Sequence, residues 1–300
     1  MNNLPAPNAV LPFLLPLLAA VVYVAGALLL KRAGELGVGP WRIAATCNFT
    51  SAIAFAPFVL FGGTLPSWTL FWQPALVALL FVAGQLLTFL ALRIGDVSIA
   101  TPVMGIKIIV VALLTTALLR EKVEAALWVG AVLSTVAIVM LNATGGQHHE
   151  RVGATILLAS LAAMAYALFD ILVQKWTPAW GLVLFLPVMM LFVALFTVPM
   201  LFVGGTGGTR LPRARSWLLA GALCLSLQGL LFITSIARFG EVTMANILYS
   251  SRGLWSVVAV WVVGHWFSSR EQHLGTRILT YRLSGAALMM IAIVLTILSR

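Results

Sequence analysis

The sequence predicts an all-α membrane protein of ten transmembrane helices, arranged as two inverted five-helix repeats. Three observations carry that reading. The 300 residues are 62% hydrophobic and 9% charged, with mean hydropathy +1.07. A soluble domain carries about 25% charged residues, so the solvent for most of this chain is lipid. Ten apolar stretches each approach the length of a bilayer crossing. The segment ALRIGDVSIATPVMGIK at 91–107 returns, in the same order of residue types, as IARFGEVTMANILYSSR at 236–252.

A helix needs about 20 apolar residues to cross the hydrocarbon. That ruler places spans at 11–30, 41–62, 72–92, 97–119, 125–142, 152–173, 180–203, 216–236, 243–266 and 281–298. The first stretch reads as a retained helix and not a signal peptide. Its leading MNNLPAPNAV carries no Lys or Arg, and no small-residue cleavage site precedes Lys31 and Arg32. Trp41, Trp68, Trp72, Trp128, Trp176, Trp180 and Trp217 fall near span ends, where indole rings favour the membrane interface. Gly62, Gly63 and Thr64, then Leu65 and Pro66, follow the second span. Gly204, Gly205 and Thr206, and later Leu211 and Pro212, follow the seventh, so turn-rich connectors stand in matching places. Arg120, Glu121 and Lys122 separate the fourth span from the fifth, and a longer linker starting at Arg270 and Glu271 separates the ninth from the tenth.

The duplicated segment covers the end of a third span, a tight turn and the first half of a fourth. Arg93, Gly95, Val97 and Ala100 recur as Arg238, Gly240, Val242 and Ala245. Asp96 corresponds to Glu241, Ser98 to Thr243 and Lys107 to Arg252. Lys31 and Lys175 close the first span of each half. Residues 1–145 and 151–300 therefore read as two copies of one five-helix unit. Five is odd, so the second copy enters the membrane from the opposite side. Inverted repeats of this kind are a plan of secondary transporters, with the substrate site near the midplane where the halves meet.

Of the eighteen Lys and Arg residues, all but Lys107 and Arg252 lie in loops or at helix ends. Those two sit near the middle of the fourth and ninth spans, where a lone cation costs about 2.5–3.5 kcal/mol on insertion scales. An inverted pseudo-two-fold brings them toward each other, and facing cations require something negative between them. Asp170 is the one acidic residue inside a span. Two readings stay open. In one, Asp170 neutralises one base and the other is held by backbone carbonyls or water. In the other, the bases form an anion clamp, with Lys as a point charge and Arg as a planar fork for paired oxygens. Tyr249 and Ser256 share a helix face with Arg252, and Asn246 flanks it. Gln85 and Gln228 hold similar depths in the two halves, and for each an interhelical hydrogen bond competes with ligand contact. The expected substrate-binding set is Lys107, Arg252, Tyr249, Asn246, Gln85 and Gln228, with Asp170 as the coupling residue.

Other function classes fit poorly. The net charge of +10 comes from loop residues that set membrane orientation, not from a clustered basic face for nucleic acid. Cys47 and Cys224 lie in apolar segments with no disulfide or zinc spacing. His148, His149, His265 and His273 fall in loops or at helix ends with no spaced metal partner. No metal or cofactor is expected. An enzyme needs a nucleophile, an acid–base pair or a metal at its site, and the spans offer one Asp. The expected partners are a small anionic substrate, the lipid bilayer and a proton or counter-anion.

On these residues the chain resembles the drug/metabolite transporter superfamily in its ten-helix form with two EamA-like repeats. The resemblance rests on the turns Gly95–Ser98 and Gly240–Thr243, on Glu121 and Glu271, and on the openings of the fifth and tenth spans at Gly130–Leu133 and Gly285–Leu288. It implies a central cavity lined by both halves, alternating access and residence in a bacterial inner membrane. EamA-like repeats often carry Leu-x-Pro in the fourth and ninth helices. Here Gly105-Ile106-Lys107-Ile108 and Ser251-Arg252-Gly253-Leu254 stand there instead. That is similar to the sugar-phosphate branch, where bases on these helices hold phosphate. The expected function is secondary active transport of a small phosphorylated or carboxylated anion. The alternative is an exporter of amino acids, neutral metabolites or drugs in which Lys107 and Arg252 are structural. Orientation divides the two lines of argument. Five Lys and Arg lie on the side of the chain ends and eleven on the other, which places the ends outside, whereas the resemblance implies that they are cytoplasmic.

Overall fold

The computed structural model describes residues 7–63, 66–94, 97–141, 151–203, 211–263 and 276–299. Gly95, Asp96, Glu271, the four histidines and the boundary between the predicted halves lie outside the described residues. Among the described residues the chain is helical apart from short turns and connectors, with no strand. The helices are α1 (Pro7–Glu35), α2 (Pro40–Phe55), α3 (Trp72–Ile94), α4 (Val97–Met104), α5 (Lys107–Leu114), α6 (Ala125–Leu141), α7 (Val152–Trp180), α8 (Leu182–Thr197), α9 (Met200–Val203), α10 (Leu211–Phe239), α11 (Val242–Tyr249), α12 (Arg252–Val263) and α13 (Thr276–Leu298).

Eight helical segments among the described residues have the length and hydropathy to cross a membrane. Ala125–Leu141 is apolar but shorter. The ninth sequence span appears as α11 and α12, of 8 and 12 residues. Leu60, Phe61, Leu157, Leu191 and Leu223 point outward from the bundle, as lipid-facing side chains do, because in hydrocarbon only the backbone must be satisfied internally.

Several boundaries differ from the sequence reading, two of them at residues read there as interface or connector. The sixth span was drawn to 173, yet α7 runs on to Trp180 with Pro178 inside it. Gln174 bonds to neighbouring segments, and this extends the helix past its polar residues. Trp180 consequently closes α7 and is 3% exposed; its Nε1 donates to Gln73 Oε1 at 2.9 Å. Leu211 and Pro212, taken as connector, open α10, where a first-turn proline sacrifices only a donor that has no intrahelical acceptor.

The fourth and ninth spans are both broken. Gly105 N bonds to Pro102 O at 3.0 Å and Ile106 N to Val103 O at 3.1 Å. These are tight i→i−3 bonds that end α4 after Pro102, and α5 restarts at Lys107. In the ninth span Ser251 N bonds to Leu248 O at 3.1 Å and Gly253 N to Ser250 O at 3.1 Å, and α12 restarts at Arg252. Each base is therefore the first residue of a second half-helix.

Helix pairs meet on small residues, as lipid-embedded packing demands. α1 packs along α10, α3 along α7 and α6 along α13. A Cβ at Gly285 would stand 2.8 Å from Met140 Cβ and 3.0 Å from the Leu141 backbone nitrogen. At the other end of the same crossing, a Cβ at Gly130 would meet Thr296 Oγ1 at 3.0 Å. Asn48 Nδ2 donates to Gln85 Oε1 and to Thr197 Oγ1, each at 2.8 Å, and this ties α2, α3 and α8 together.

Candidate functional site

The two breaks open onto a cavity of about 400 Å³, inside the range of about 300–1,000 Å³ that small-molecule sites occupy. Lys107, Asn246, Tyr249 and Arg252 line it. Thr88, Thr101, Ser250 and Ser256 add hydroxyls, and Tyr23, Met104, Ile138 and Leu141 add apolar surface.

The two bases share this hollow but not one environment. Lys107 Nζ stands 2.7 Å from Asp170 Oδ2, with the lysine side chain 18% and the aspartate 1% exposed. Asn246 Nδ2 donates to the same carboxylate oxygen at 2.8 Å and to its own helix at Val242 O, 3.0 Å away. The ammonium also lies 5.9 Å from the Tyr166 ring centre and 5.7 Å from that of Phe232. Tyr166 is held where it is by Gly84, whose missing Cβ would stand 2.9 Å from the ring. Asp170 thus sits deep in α7, below the cavity floor, with its charge used by Lys107.

Arg252 is held by aromatics. Its guanidinium carbon lies 4.7 Å from the Tyr23 ring centre and 4.8 Å from that of Tyr249. The two rings stand 6.1 Å apart, edge to face. Nη1 donates to the Tyr249 hydroxyl at 3.2 Å. Among the described residues no carboxylate lies within ion-pair distance of Arg252. Cation–aromatic contact contributes about 0.5–1 kcal/mol at exposed sites and about 2 kcal/mol when desolvated. It fixes the position of the charge without cancelling it.

Of the residues expected to bind substrate, Lys107, Arg252, Tyr249 and Asn246 come together at the cavity, with Asp170 directly beneath. Gln85 and Gln228 do not line it. Gln85 is engaged with Asn48, donating Nε2 to Asn48 Oδ1 at 3.1 Å in addition to the bond it accepts.

Three contributors escaped the sequence reading. Tyr23 lies in a uniformly apolar first span. The usable signal was scarcity, since the chain has four tyrosines and three of them, Tyr23, Tyr166 and Tyr249, surround the two bases. Arg282 lines the cavity; α13 starts at Thr276, which carries a base read at the very end of its span into the second turn of the helix. Pro102 signalled the break that exposes Lys107, and its position in the span was overlooked.

Among the described residues no group of three or more His, Cys, Asp or Glu side chains gathers where it could hold a metal ion. Residues 11–143 match the model of the EamA-like transporter family. A solved structure described only as a crystal structure of a protein superposes over 96% of each chain with a TM-score of 0.75 at 15% identity, a likeness of fold alone. No curated protein matches the chain. The apolar helices, the cavity among them and the family match converge: the chain is a multi-pass membrane protein that carries an EamA-like transporter domain over residues 11–143.

Proposed function

We propose that the chain is a secondary active transporter that carries a small organic anion by alternating access, and that Arg252 is the group that holds the anion. One observation supports this reading above the others. Arg252 faces the cavity with no carboxylate beside it among the described residues, whereas Lys107 in the same cavity is neutralised by Asp170. The two tyrosines hold the guanidinium by ring contact and one hydroxyl bond from Nη1, and its other N–H groups are the donors proposed for a carboxylate or phosphate. A buried cation without a counter-ion is costly, and an arriving anion removes that cost only while it is bound.

Asp170 serves in this reading as the coupling residue. An anion drawing Lys107 toward the cavity leaves a carboxylate of 1% exposure with the Asn246 amide as its remaining partner. Asp170 is then the proposed carrier of the coupled ion, so that anion and proton travel together. The division into repeats 1–145 and 151–300 belongs to the same proposal. It is supported by helix breaks directly before Lys107 and Arg252, and by the pairing of α1 with α10 alongside that of α7 with α3. The proposed residence is a bacterial inner membrane.

The ion pair of Lys107 favours one competing reading, an exporter of amino acids, neutral metabolites or drugs in which both bases are structural. Proteoliposome uptake separates the two. Arg252→Ala abolishes uptake of carboxylated or phosphorylated substrates under the anion reading. Unchanged uptake of the same anions by that variant overturns it.

A further inference from the structure

With each span taken as a crossing, α1 starts on one face of the membrane, here the near face, and α13 ends there. The cavity is lopsided with respect to this axis. Leu92 near the end of α3, Leu141 at the end of α6, Thr101 in α4 and Arg282 in the second turn of α13 all lie on the far side of the two bases. On the near side of the bases, polar side chains join the helix ends instead. Gln174 Nε2 donates to both oxygens of Glu121, at 3.1 and 3.0 Å. Gln174 Oε1 accepts from the Val242 backbone N–H at 3.0 Å, a first-turn donor of α11 with no intrahelical acceptor. Thr115 and Thr243 hydroxyls meet at 3.0 Å a turn away. A single buried amide thus ties the segment after the fourth span to α7 and to the start of the ninth span.

We infer that Gln174 is the gate residue that closes the near face while the cavity stands open to the far face. Gln174 lies one turn beyond Asp170 on α7, and both reach the same helix. Asp170 accepts from Asn246, Asn246 donates to Val242 O, and Val242 N donates to Gln174. An unbroken chain of hydrogen bonds therefore leads from Lys107 through Asp170, Asn246, Val242 and Gln174 to Glu121. A change in the Lys107–Asp170 pair moves the helix to which the gate is fastened. The matching position in the first half, read from the pairing of Lys31 with Lys175, is Leu30, which packs on Gly221 and has no side-chain hydrogen bond to offer. The polar fastening belongs to the near face. The closure rests on alternating access and not on the identity of the cargo; the link to Asp170 rests on the coupling reading above.

Sided labelling tests it. With Cys47 and Cys224 replaced by Ala, a single Ser256→Cys in the cavity is exposed to a membrane-impermeant maleimide in sealed vesicles of each orientation, without substrate. The expected result is labelling from the far face. Adding Gln174→Leu, which removes all three bonds at similar volume, makes near-face labelling at least fivefold faster. Glu121→Gln retains an amide acceptor and keeps the original sidedness. Unchanged sidedness in a folded Gln174→Leu protein, or near-face labelling of the parent, overturns the gate. If Gln174→Leu does not reach the membrane, Glu121→Ala removes the same acceptor from an exposed segment and is read by the same two outcomes. Sidedness that shifts as expected in a protein that moves no anion sinks the cargo reading and leaves the gate standing.

Discussion

Lys107 and Arg252 occupy one position in a duplicated segment, each follows a helix break, and both face one cavity; their partners nevertheless differ in kind. Lys107 has a buried carboxylate at 2.7 Å. Arg252 has two tyrosine rings at 4.7 and 4.8 Å and a phenol hydroxyl. A carboxylate cancels charge, whereas an aromatic ring steadies it. The comparison teaches that equal burial depth does not fix the role of a base in a membrane. The neighbouring helix decides whether the charge is consumed or left for a ligand.

The largest effect that would break this comparison is on stability. Asp170→Ala leaves Lys107 as a buried cation without a partner, and removal of one member of a buried pair costs about 3–5 kcal/mol. The Lys107 side chain is 18% exposed, so about 3 kcal/mol is expected, read as a lower thermal midpoint in detergent. The pair Lys107→Met with Asp170→Leu recovers most of it; no recovery means that the two do not act as a unit. A middle-sized effect concerns Tyr23. Tyr23→Ala removes one of the two rings, and about 1 kcal/mol of lost cation–aromatic contact predicts about fivefold weaker anion binding by titration calorimetry. Tyr23→Phe keeps the ring and the affinity. Equal losses in both variants would assign the effect to the hydroxyl. Smallest is Gln85→Leu, which leaves transport unchanged and costs about 0.6 kcal/mol per interhelical hydrogen bond lost. A transport defect there would bring Gln85 back to the substrate.

The helical membrane fold was legible because hydropathy is a property of composition and survives errors at every boundary. Lys107, Arg252 and Asp170 were legible for the opposite reason, since a single charge stands out in an apolar run. Their pairing was not, because spacing along the chain says nothing of which α7 side chain reaches α5. The end of the sixth span was not legible because Lys175 and Pro178 resemble a helix end, whereas α7 passes through both. Gln174 was invisible for a similar reason. A glutamine beside a lysine reads as a solvated terminus until a backbone N–H from another segment is seen to need an acceptor. Arg282 was read as terminal because the span ruler starts the tenth helix at 281, whereas α13 starts at Thr276.

The seam between α6 and α13 has a mechanical corollary. Gly130 and Gly285 bring the two backbones so close that even one methyl group does not fit without displacement, and Ile138, Leu141 and Arg282 on this seam form one wall of the cavity. We expect neither helix to slide past the other, so this side of the hollow keeps its shape. Any adjustment to cargo of different size then falls to the opposite side.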